Sequence, residues 1–498
     1  MLKRVLLQAL LLLGIAVNVG LLLVNLRPDR PHLRRRTHAR LLLRASPPRA
    51  KWMQENELAE FEADHDLELE LVLAKDFDDV HDKLVEEAKK PTGILLADIN
   101  DEYSDDLRSE NAVRPIVDGA DPADAAAALD EYLPDAVERA KVQGKLWFLP
   151  KRAQVDVLAF LTPAIEDAYL NWEKFRPDID KALKEANEFG LPKGYELERS
   201  PESWDGYDYF VAGWTWAHHP ARWAEPVAAN VPPGAQLPPP IVRPRLAYRT
   251  GNSDDAVRDL VSAFYRHGMK SGEALKSAAD SLPALDALQW RVLFRKHKLL
   301  VPECDSEAGC DAFLVNQLLH DRKIAMAPVN QPDAFWIHGG ARRDADPGMR
   351  GPGDLNFAPM PAGASLEIDP KTGEPARKGR TWSFDEVHLW AVPARSPDVR
   401  LAWELARFLT QRGLQLRETE AEGMLPIRKD LRQSYQVTFR LDWMQRVLHA
   451  SYRQIFMGSG DLPEELNDID EDLLKMRDRA LASGGVTLQA VREAAHGH

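Results

Sequence analysis

Residues 382–431 read WSFDEVHLWAVPARSPDVRLAWELARFLTQRGLQLRETEAEGMLPIRKDL. The run at 387–392 is apolar at all positions but one and ends at a proline, which indicates a β-strand. Ser396 and Pro397 suit the N-cap and first turn of an α-helix, and Gly413 suits its end. Seven apolar residues at helical spacing predict one buried helix face: Val399, Ala402, Trp403, Leu405, Ala406, Phe408 and Leu409.

This stretch closes with Gly-Met-Leu-Pro-Ile-Arg at 423–428. The ordered set of strand, Ser-Pro helix and Gly-x-Leu-Pro-x-Arg resembles the extracellular solute-binding proteins that serve carbohydrate ABC importers. The chain departs from the family pattern at 158–160 and 321–322. Four more segments extend the resemblance in the same order over most of residues 40–435: GKLWFLP at 144–150, PESWD at 201–205, NQLLHDRKIAM at 316–326 and DLNFAPMPAG at 354–363.

The resemblance implies an α/β, bilobal periplasmic-binding-protein-like fold of type II with a hinge. The first lobe is expected at 40–152 plus 322–392, and the second at 153–321 plus 393–498, after a membrane anchor and basic linker at 1–39. The implied function is binding without catalysis. The lobes close on a sugar or oligosaccharide, and the loaded protein then docks on the permease subunits of an ABC importer. No cofactor is expected.

The first hundred residues carry an independent fold signal. Apolar runs that alternate with helical patterns predict β-α-β-α-β and therefore a parallel sheet covered by helices. Ligands of such sheets bind at the carboxyl ends of the strands, which are here 46–51 and 100–101. The predicted elements are strands at 40–45, 67–73 and 94–99 and helices at 52–64 and 79–89.

The remaining chain gives weaker signals. Helices are predicted at 254–267, 284–299 and 441–482, the last packing on the second lobe. Seven prolines between 224 and 244 predict an exposed connection.

Ten residues are candidates for ligand binding, with both lobes contributing because closure requires contacts from each. Aromatic faces stack on the apolar faces of sugar rings, and polar groups bind the hydroxyls. Trp382 and Glu386 are the strongest pair. The full set is Trp52, Asp101, Arg152, Gln154, Trp214, Trp216, Asn330, Trp336, Trp382 and Glu386.

The N-terminus predicts a membrane segment. Residues 5–26 contain no charge and are long enough to span a bilayer, and no small-residue cleavage site follows them. Seven arginines between 27 and 44 favour a cytoplasmic body by the positive-inside rule. The resemblance favours a periplasmic or extracellular body, as does the usual insertion of a first span with its short tail inside. We expect the outside placement, with a long cleavable signal as the alternative.

The net charge of −14 is unevenly distributed. Residues 1–44 carry +8, which leaves −22 on the remaining chain. So acidic a surface repels phosphate backbones, and nucleic acid is therefore not an expected partner.

Two cysteines, Cys304 and Cys310, form either a disulfide or two free thiols. Their spacing is not that of a zinc site, and the chain has no phosphate-binding loop or GxSxG elbow. Two other functions remain open. One is a membrane-tethered solute sensor or scaffold with a degenerate binding-protein fold. The other is a single-pass glycan-modifying enzyme whose acidic triplets, such as Asp64-His65-Asp66, hold a metal.

Overall fold

The computed structural model describes residues 37–219, 245–251, 254–270, 275–306, 309–337, 354–432, 459–460 and 466–497. The predicted membrane segment at 5–26 and the proline-rich connection at 224–244 lie outside these ranges. Within them, no helix combines the length and the apolar composition that a membrane span requires.

Three parallel strands begin the fold: β1 (Thr37–Arg44), β2 (Leu67–Ala74) and β3 (Ile94–Asn100). Strand β1 lies in the middle and pairs with both neighbours. Every residue of β3 is buried, as expected for a strand covered on both faces. The predicted β-α-β-α-β order is therefore correct. The connecting helices are α1 (Pro47–Met53), a π-helical turn (Gln54–Leu58), α2 (Ala59–Asp64) and α3 (Phe77–Lys89).

Two long strands, β4 (Leu149–Leu161) and β8 (Ser383–Pro393), connect this sheet to a second one. Strand β8 runs antiparallel to β3 on one side and to the first half of β4 on the other. The second sheet contains three further strands: β5 (Arg245–Leu246), β6 (Ile324–Asn330) and β7 (Leu355–Ala358). The second half of β4 pairs with β6 and β7, and β5 pairs with β6.

We call the part around β1–β3 the first lobe (37–155 and 383–432) and the part around β5–β7 the second lobe (156–382 and 466–497, as described). The pairing of β6 and β7 with residues 156–161 of β4 assigns both strands to the second lobe. The sequence-based division has them in the first lobe, because it assumes that the chain returns there at 322. The return occurs only at β8.

The helix that follows β8 differs from the sequence-based division in the opposite direction, because it belongs to the first lobe and not to the second. Helix α14 (Val399–Leu409) packs on the first lobe, where Trp403 donates from Nε1 to Asp124 at 2.7 Å. Arg407 pairs with Glu131 of the same lobe at 2.9 Å. The sequence-based division assigns this segment to the second lobe. Of the described helices after β8, the C-terminal α17 (Leu466–Ser483) and α18 (Leu488–His496) pack on the second lobe.

The other elements complete the two lobes. The first lobe contains α4 (Ser104–Ser109), α5 (Pro122–Glu131), α6 (Pro134–Arg139), α15 (Arg412–Glu422) and α16 (Lys429–Arg432). The second lobe contains α7 (Thr162–Asn171), α8 (Arg176–Asn187), α9 (Gly206–His218), α10 (Asp254–Arg266), α11 (Leu282–Lys296), α12 (Ala312–His320), α13 (Gln331–Ile337), α17 (Leu466–Ser483) and α18 (Leu488–His496).

The helix predicted from the opening stretch exists, but its ends differ. Asp398 is the N-cap, because its carboxylate accepts from the backbone N–H of Leu401 at 3.0 Å. The hydroxyl of Ser396 donates instead to the carbonyl of Leu95 at 3.0 Å. Gly413 lies inside the next helix, α15, and the left-handed residue that ends that helix is Gly423 at φ 69°.

Three tryptophans that were predicted to face a ligand are core residues. Trp216 is fully buried and donates from Nε1 to the carbonyl of Ala164 at 2.8 Å. Trp214 is buried in the same helix, and its ring stacks on the ring of His218. Trp382 is 2% exposed and stacks on Tyr265 with the ring centroids 4.6 Å apart. Their apolar area stabilises the second lobe, which corrects the prediction that they bind ligand.

We expect Trp382→Ala to lower the free energy of unfolding by about 3–5 kcal/mol, because it removes a buried indole and leaves a cavity. Chemical denaturation measures this loss. The control is Phe189→Ala, whose ring is 47% exposed and whose loss should cost about 0.5 kcal/mol or less. Equal stability of the Trp382→Ala variant and the wild type would contradict the assignment of Trp382 to the core.

Candidate functional site

A cleft separates the two lobes at the carboxyl ends of the first-lobe strands. It contains about 1240 Å³ of space between protein atoms, including its open mouth. Its lining comes from both lobes and from both connecting strands: Arg44, Asp76, Phe77, Asp78, Asn100, Glu102, Tyr103, Arg152, Gln154, Asp156, Arg249, Arg258, Ala312, Asn330, Pro332, Asp333, Glu386 and Met424.

The first-lobe wall follows from the parallel strands. Arg44 ends β1, the segment 76–78 follows β2, and Asn100 ends β3. Since parallel strands end at the same edge of a sheet, these side chains meet there. On β4, Arg152, Gln154 and Asp156 line the cleft together because alternate residues of a strand share one face.

An arginine from the second lobe crosses the cleft. Arg258 on α10 donates to Glu386 on β8, and its other terminal nitrogen lies 3.3 Å from Glu102 in the first lobe. Gln154 also donates to Glu386. The two lobes are therefore joined by ion pairs inside the cleft.

The two carboxylates of this network have opposite pKa shifts. Burial raises the pKa of Glu102 to about 7, and the attraction of Arg258 offsets this only in part, since Glu386 adds a like charge. Burial also acts to raise the pKa of Glu386, but Arg258, His388, Gln154 and Arg44 together outweigh it and hold that pKa below its usual value. Glu386 is thus the ionised partner of Arg258 at neutral pH.

Two more arginines of the cleft are held by carboxylates. Arg249 forms a bidentate pair with Asp156, with N–O distances of 2.9 and 3.0 Å. Arg152 donates to Glu418 at 3.1 Å. Arg44 is different, because it is exposed, its guanidinium lies 5.4 Å from the centroid of the Phe77 ring, and it acts on Glu386 only through its charge. Among the described residues it forms no ion pair, so it is free to bind a solute.

Asn100 presents an unpaired acceptor. Its side-chain nitrogen donates to Glu102 at 3.0 Å, but its Oδ1 has no hydrogen-bond partner among the described residues. Asn100 is only 1% exposed and lines the cleft. A buried polar atom without a partner is unfavourable, so a donor on a bound solute would be stabilised there.

Of the ten predicted binding residues, the structure brings four together around the cleft: Arg152, Gln154, Asn330 and Glu386. Asp101 lies beside it, where it pairs with Arg139 at 2.9 Å and accepts from the backbone N–H of Val387.

Four of the five predicted tryptophans are absent from the described residues that line the cleft. Trp52 lies under Arg49, 4.5 Å from the guanidinium to the ring centroid. Trp214, Trp216 and Trp382 are the core residues described above. The side chain of Trp336 lies outside the described residues, although its backbone belongs to α13.

Several lining residues were not predicted. Arg44 and Asp156 carry a recognisable signal, since Arg44 is the polar end of an apolar strand and Asp156 continues the alternation of Gln154. Asn100 belongs to the strand end expected at the cleft, although Asp101 was the chosen candidate. Arg258 carries no local signal, because only the packing of its helix brings it to the cleft.

The cleft is suited to binding a polar solute. Guanidinium groups and amide nitrogens donate hydrogen bonds there, and carboxylates and amide oxygens accept them. The described part of the chain contains no group of three His, Cys, Asp or Glu side chains with the geometry of a metal site.

The raised pKa of Glu102 predicts a pH-dependent stability. Between its ordinary value of 4.5 and about 7, the unfolded chain has released this proton while the folded protein keeps it. Rising pH across this window therefore removes stability from the wild type. We expect the wild type to lose about 1–3 kcal/mol relative to Glu102→Gln between pH 4.5 and 8, measured by urea denaturation.

The matched control is Glu60→Gln, which changes an exposed carboxylate of the same lobe. Its stability should follow the wild type at every pH. If Glu102→Gln also follows the wild type, Glu102 does not titrate as a buried carboxyl group.

Solved structures share this architecture. Maltose-bound MalE3 of T. maritima has a TM-score of 0.61 at 16% identity, covering 92% of this chain and 98% of that chain. The GacH receptor of Streptomyces glaucescens, solved unliganded and with acarbose, gives 0.60 at 15% identity, with 92% and 97% covered. The maltotriose binding protein of Thermus thermophilus, bound with maltotriose, gives 0.58 at 15%, with 92% and 98% covered. The predicted bilobal periplasmic-binding-protein-like α/β fold is confirmed.

The sequence comparisons agree with this fold. No curated protein matches the chain. A family of bacterial extracellular solute-binding proteins matches residues 58–440, which is more than half of the 498 residues. The chain therefore belongs to the bacterial extracellular solute-binding protein family.

Proposed function

We propose that this protein binds a carbohydrate-like solute in the cleft between its lobes and delivers it to the permease of an ABC importer. The observation that carries the proposal is the cleft itself, because its polar lining comes from both lobes. Asn100 and Glu102 belong to the first lobe, and Arg258 and Asn330 belong to the second. A solute that contacts both walls favours the closed arrangement of the lobes over the open one.

A carbohydrate suits this lining. Sugar hydroxyls both donate and accept, which matches the mixed guanidinium, amide and carboxylate groups of the cleft. Two aromatic rings, Phe77 and Tyr103, are available for contact with the apolar face of a sugar ring. The three solved structures that share the fold carry maltose, acarbose and maltotriose. The solute is bound and released with its bonds unchanged.

Arg44 and Asn330 give the sharpest test, since they lie on opposite walls and are not fully buried. We expect Arg44→Ala and Asn330→Ala each to weaken binding of the best sugar about tenfold or more, because each removes hydrogen bonds to the solute. The melting temperature should change little. Isothermal titration calorimetry follows a thermal-shift screen of mono- and oligosaccharides.

The matched control is Arg40→Ala on the same strand as Arg44. Arg40 pairs with Glu70 at 3.0 Å and is not part of the cleft, so its variant should keep wild-type affinity. Equal affinity of the wild type and both cleft variants for the sugar would contradict binding in the cleft.

A second candidate function is a membrane-tethered sensor or scaffold with the same fold. It is favoured by the ion pairs that Arg258 makes across the cleft, because they join the two lobes directly through the protein's own side chains. The thermal-shift screen of sugars distinguishes the importer receptor from the sensor or scaffold. Stabilisation by a free sugar supports the importer receptor, and no stabilisation by any sugar supports the scaffold. A requirement for manganese together with a nucleotide sugar would instead indicate an enzyme.

We infer that residues 5–26 anchor the protein in the cytoplasmic membrane with its body outside the cytoplasm. The length and apolar composition of this segment support the anchor, and the extracellular family supports the placement. Alkaline phosphatase fused after residue 498 should be active, and a fluorescent protein that requires the cytoplasm should be dark. The reverse pattern would place the body in the cytoplasm, in agreement with the arginines at 27–44.

A further inference from the structure

A second cavity lies in the second lobe, away from the cleft. It contains about 1070 Å³ of space between protein atoms, including its opening to solvent. Its walls come from α11, from α17, and from the two segments around Thr250 and Cys304. Three arginines line it: Arg291, Arg295 and Arg477.

A disulfide fixes one wall of this cavity. Cys304 and Cys310 are bonded, which settles the alternative left open by the sequence. The hydroxyl of Thr250 donates to the carbonyl of Cys304 at 2.9 Å and accepts from the backbone N–H of Cys310 at 2.8 Å. Both bonded cysteines are therefore tied by hydrogen bonds to the segment that carries Thr250.

Two of the three arginines are neutralised. Arg295 pairs with Asp305 at 3.0 Å. Arg477 pairs with Asp478 at 2.8 Å and donates to the carbonyl of Gly251 at 2.9 Å. The two carboxylates that line the cavity are thus each occupied by one guanidinium.

Arg291 is the arginine that remains. It is 8% exposed, and among the described residues it forms neither a hydrogen bond nor an ion pair. Its guanidinium lies 5.5 Å from the centroid of the Tyr248 ring. The nearby carboxylate of Asp259 accepts a hydrogen bond from the backbone N–H of Arg249 and acts on Arg291 through its charge without a hydrogen bond to it. A buried guanidinium that donates no hydrogen bond is unfavourable, so an external anion that accepts from it would be stabilised at this position.

Like charges increase this need. Arg291 and Arg295 are one turn apart on α11, where two cations repel each other. Burial lowers the pKa of Arg291, the charge of Asp259 acts to raise it, and Arg477 adds to the lowering. Three guanidinium groups and two carboxylates line this cavity, so its lining carries a net positive charge.

We propose that this cavity binds an oxyanion, of the phosphate or sulfate class, between Arg291, Arg295 and Arg477. Guanidinium groups bind such anions through directed, charge-assisted hydrogen bonds. The cavity is larger than inorganic phosphate needs, so it also accommodates a phosphate ester of a small molecule. This site goes beyond the solute cleft, and its occupation stabilises the second lobe by pairing Arg291.

The test is a thermal-shift titration of the full chain in detergent with sodium phosphate, sulfate and glycerol phosphate against sodium chloride at equal ionic strength. Saturating phosphate should raise the melting temperature of the wild type by about 2–4 °C. Arg291→Met should remove the rise while keeping or increasing the melting temperature in chloride, since an unpaired charge is lost. Equal rises with phosphate and sulfate indicate a free oxyanion, and a larger rise with glycerol phosphate indicates an ester.

The matched control is Arg176→Met, an arginine of the same lobe that pairs with Glu196 and lies 4.4 Å from the Trp172 ring. It should keep the phosphate response. If Arg291→Met does not fold, half-exposed Arg295→Met should weaken phosphate binding about tenfold by calorimetry. No phosphate response in the wild type, or one that survives in both cavity variants, would overturn the proposal. A response lost in Arg44→Ala alone would place the anion in the cleft.

Discussion

The register between strands β4 and β8 is the constraint on which the cleft depends. Strand β4 runs from the first lobe into the second, β8 returns the chain to the first lobe, and their pairing sets Glu386 opposite Gln154 and His388 opposite Arg152. Because neighbouring residues of a strand point to opposite faces, a slip of one residue would turn Glu386 away from the cleft. The ion pair with Arg258 and the hydrogen bond from Gln154 would both be lost. The binding surface is therefore fixed by backbone hydrogen bonds far more than by the loops around it.

The same alternation buries charge behind the cleft. Lys151 points opposite to Arg152, into the first lobe, where it donates to Asp98 at 2.6 Å and lies 4.6 Å from the Trp390 ring. Burial acts to raise the pKa of Asp98, but Lys151, His388 and Arg152 together outweigh it and hold that pKa well below its usual value. Such a pair contributes little net stability over an apolar pair, yet removing one partner would leave an isolated buried charge. The connecting strands thus carry paired charges on both faces.

The sequence predicts the elements of this fold better than their assignment to lobes. The strands around 40–99 and the helix at 399–409 carry strong local periodicity, so they are found close to the expected positions. The lobe division depends on which strands pair at long range. The apolar run at 324–330 would suit a buried strand of either lobe, and only its pairing with residues 156–160 assigns it to the second lobe. Local patterns contain no information about that partner.

The candidate site shows the same limit for individual side chains. The polar residues on the connecting strands were predictable, because side chains alternate between the two faces of a strand. This alternation along β4 and β8 determines which face carries Gln154 and Glu386. The positions of the tryptophans were not predictable, because an indole ring packs as well in a hydrophobic core as against a sugar ring. The structure places Trp216 and Trp382 in the core. Arg258 depends on how α10 packs across the cleft.

The polar character of the cleft has a consequence for specificity. Among the described residues that line it, Phe77 and Tyr103 supply the aromatic rings and the others are mostly polar, so hydrogen bonds contribute much of the discrimination between solutes. A site with buried polar groups strongly rejects an analogue that lacks the matching hydroxyl, because those groups then lose their partner. The buried Oδ1 of Asn100 is such a group, since among the described residues it has no donor of its own. A solute with a donor at this position is therefore favoured over one that differs only by a missing hydroxyl.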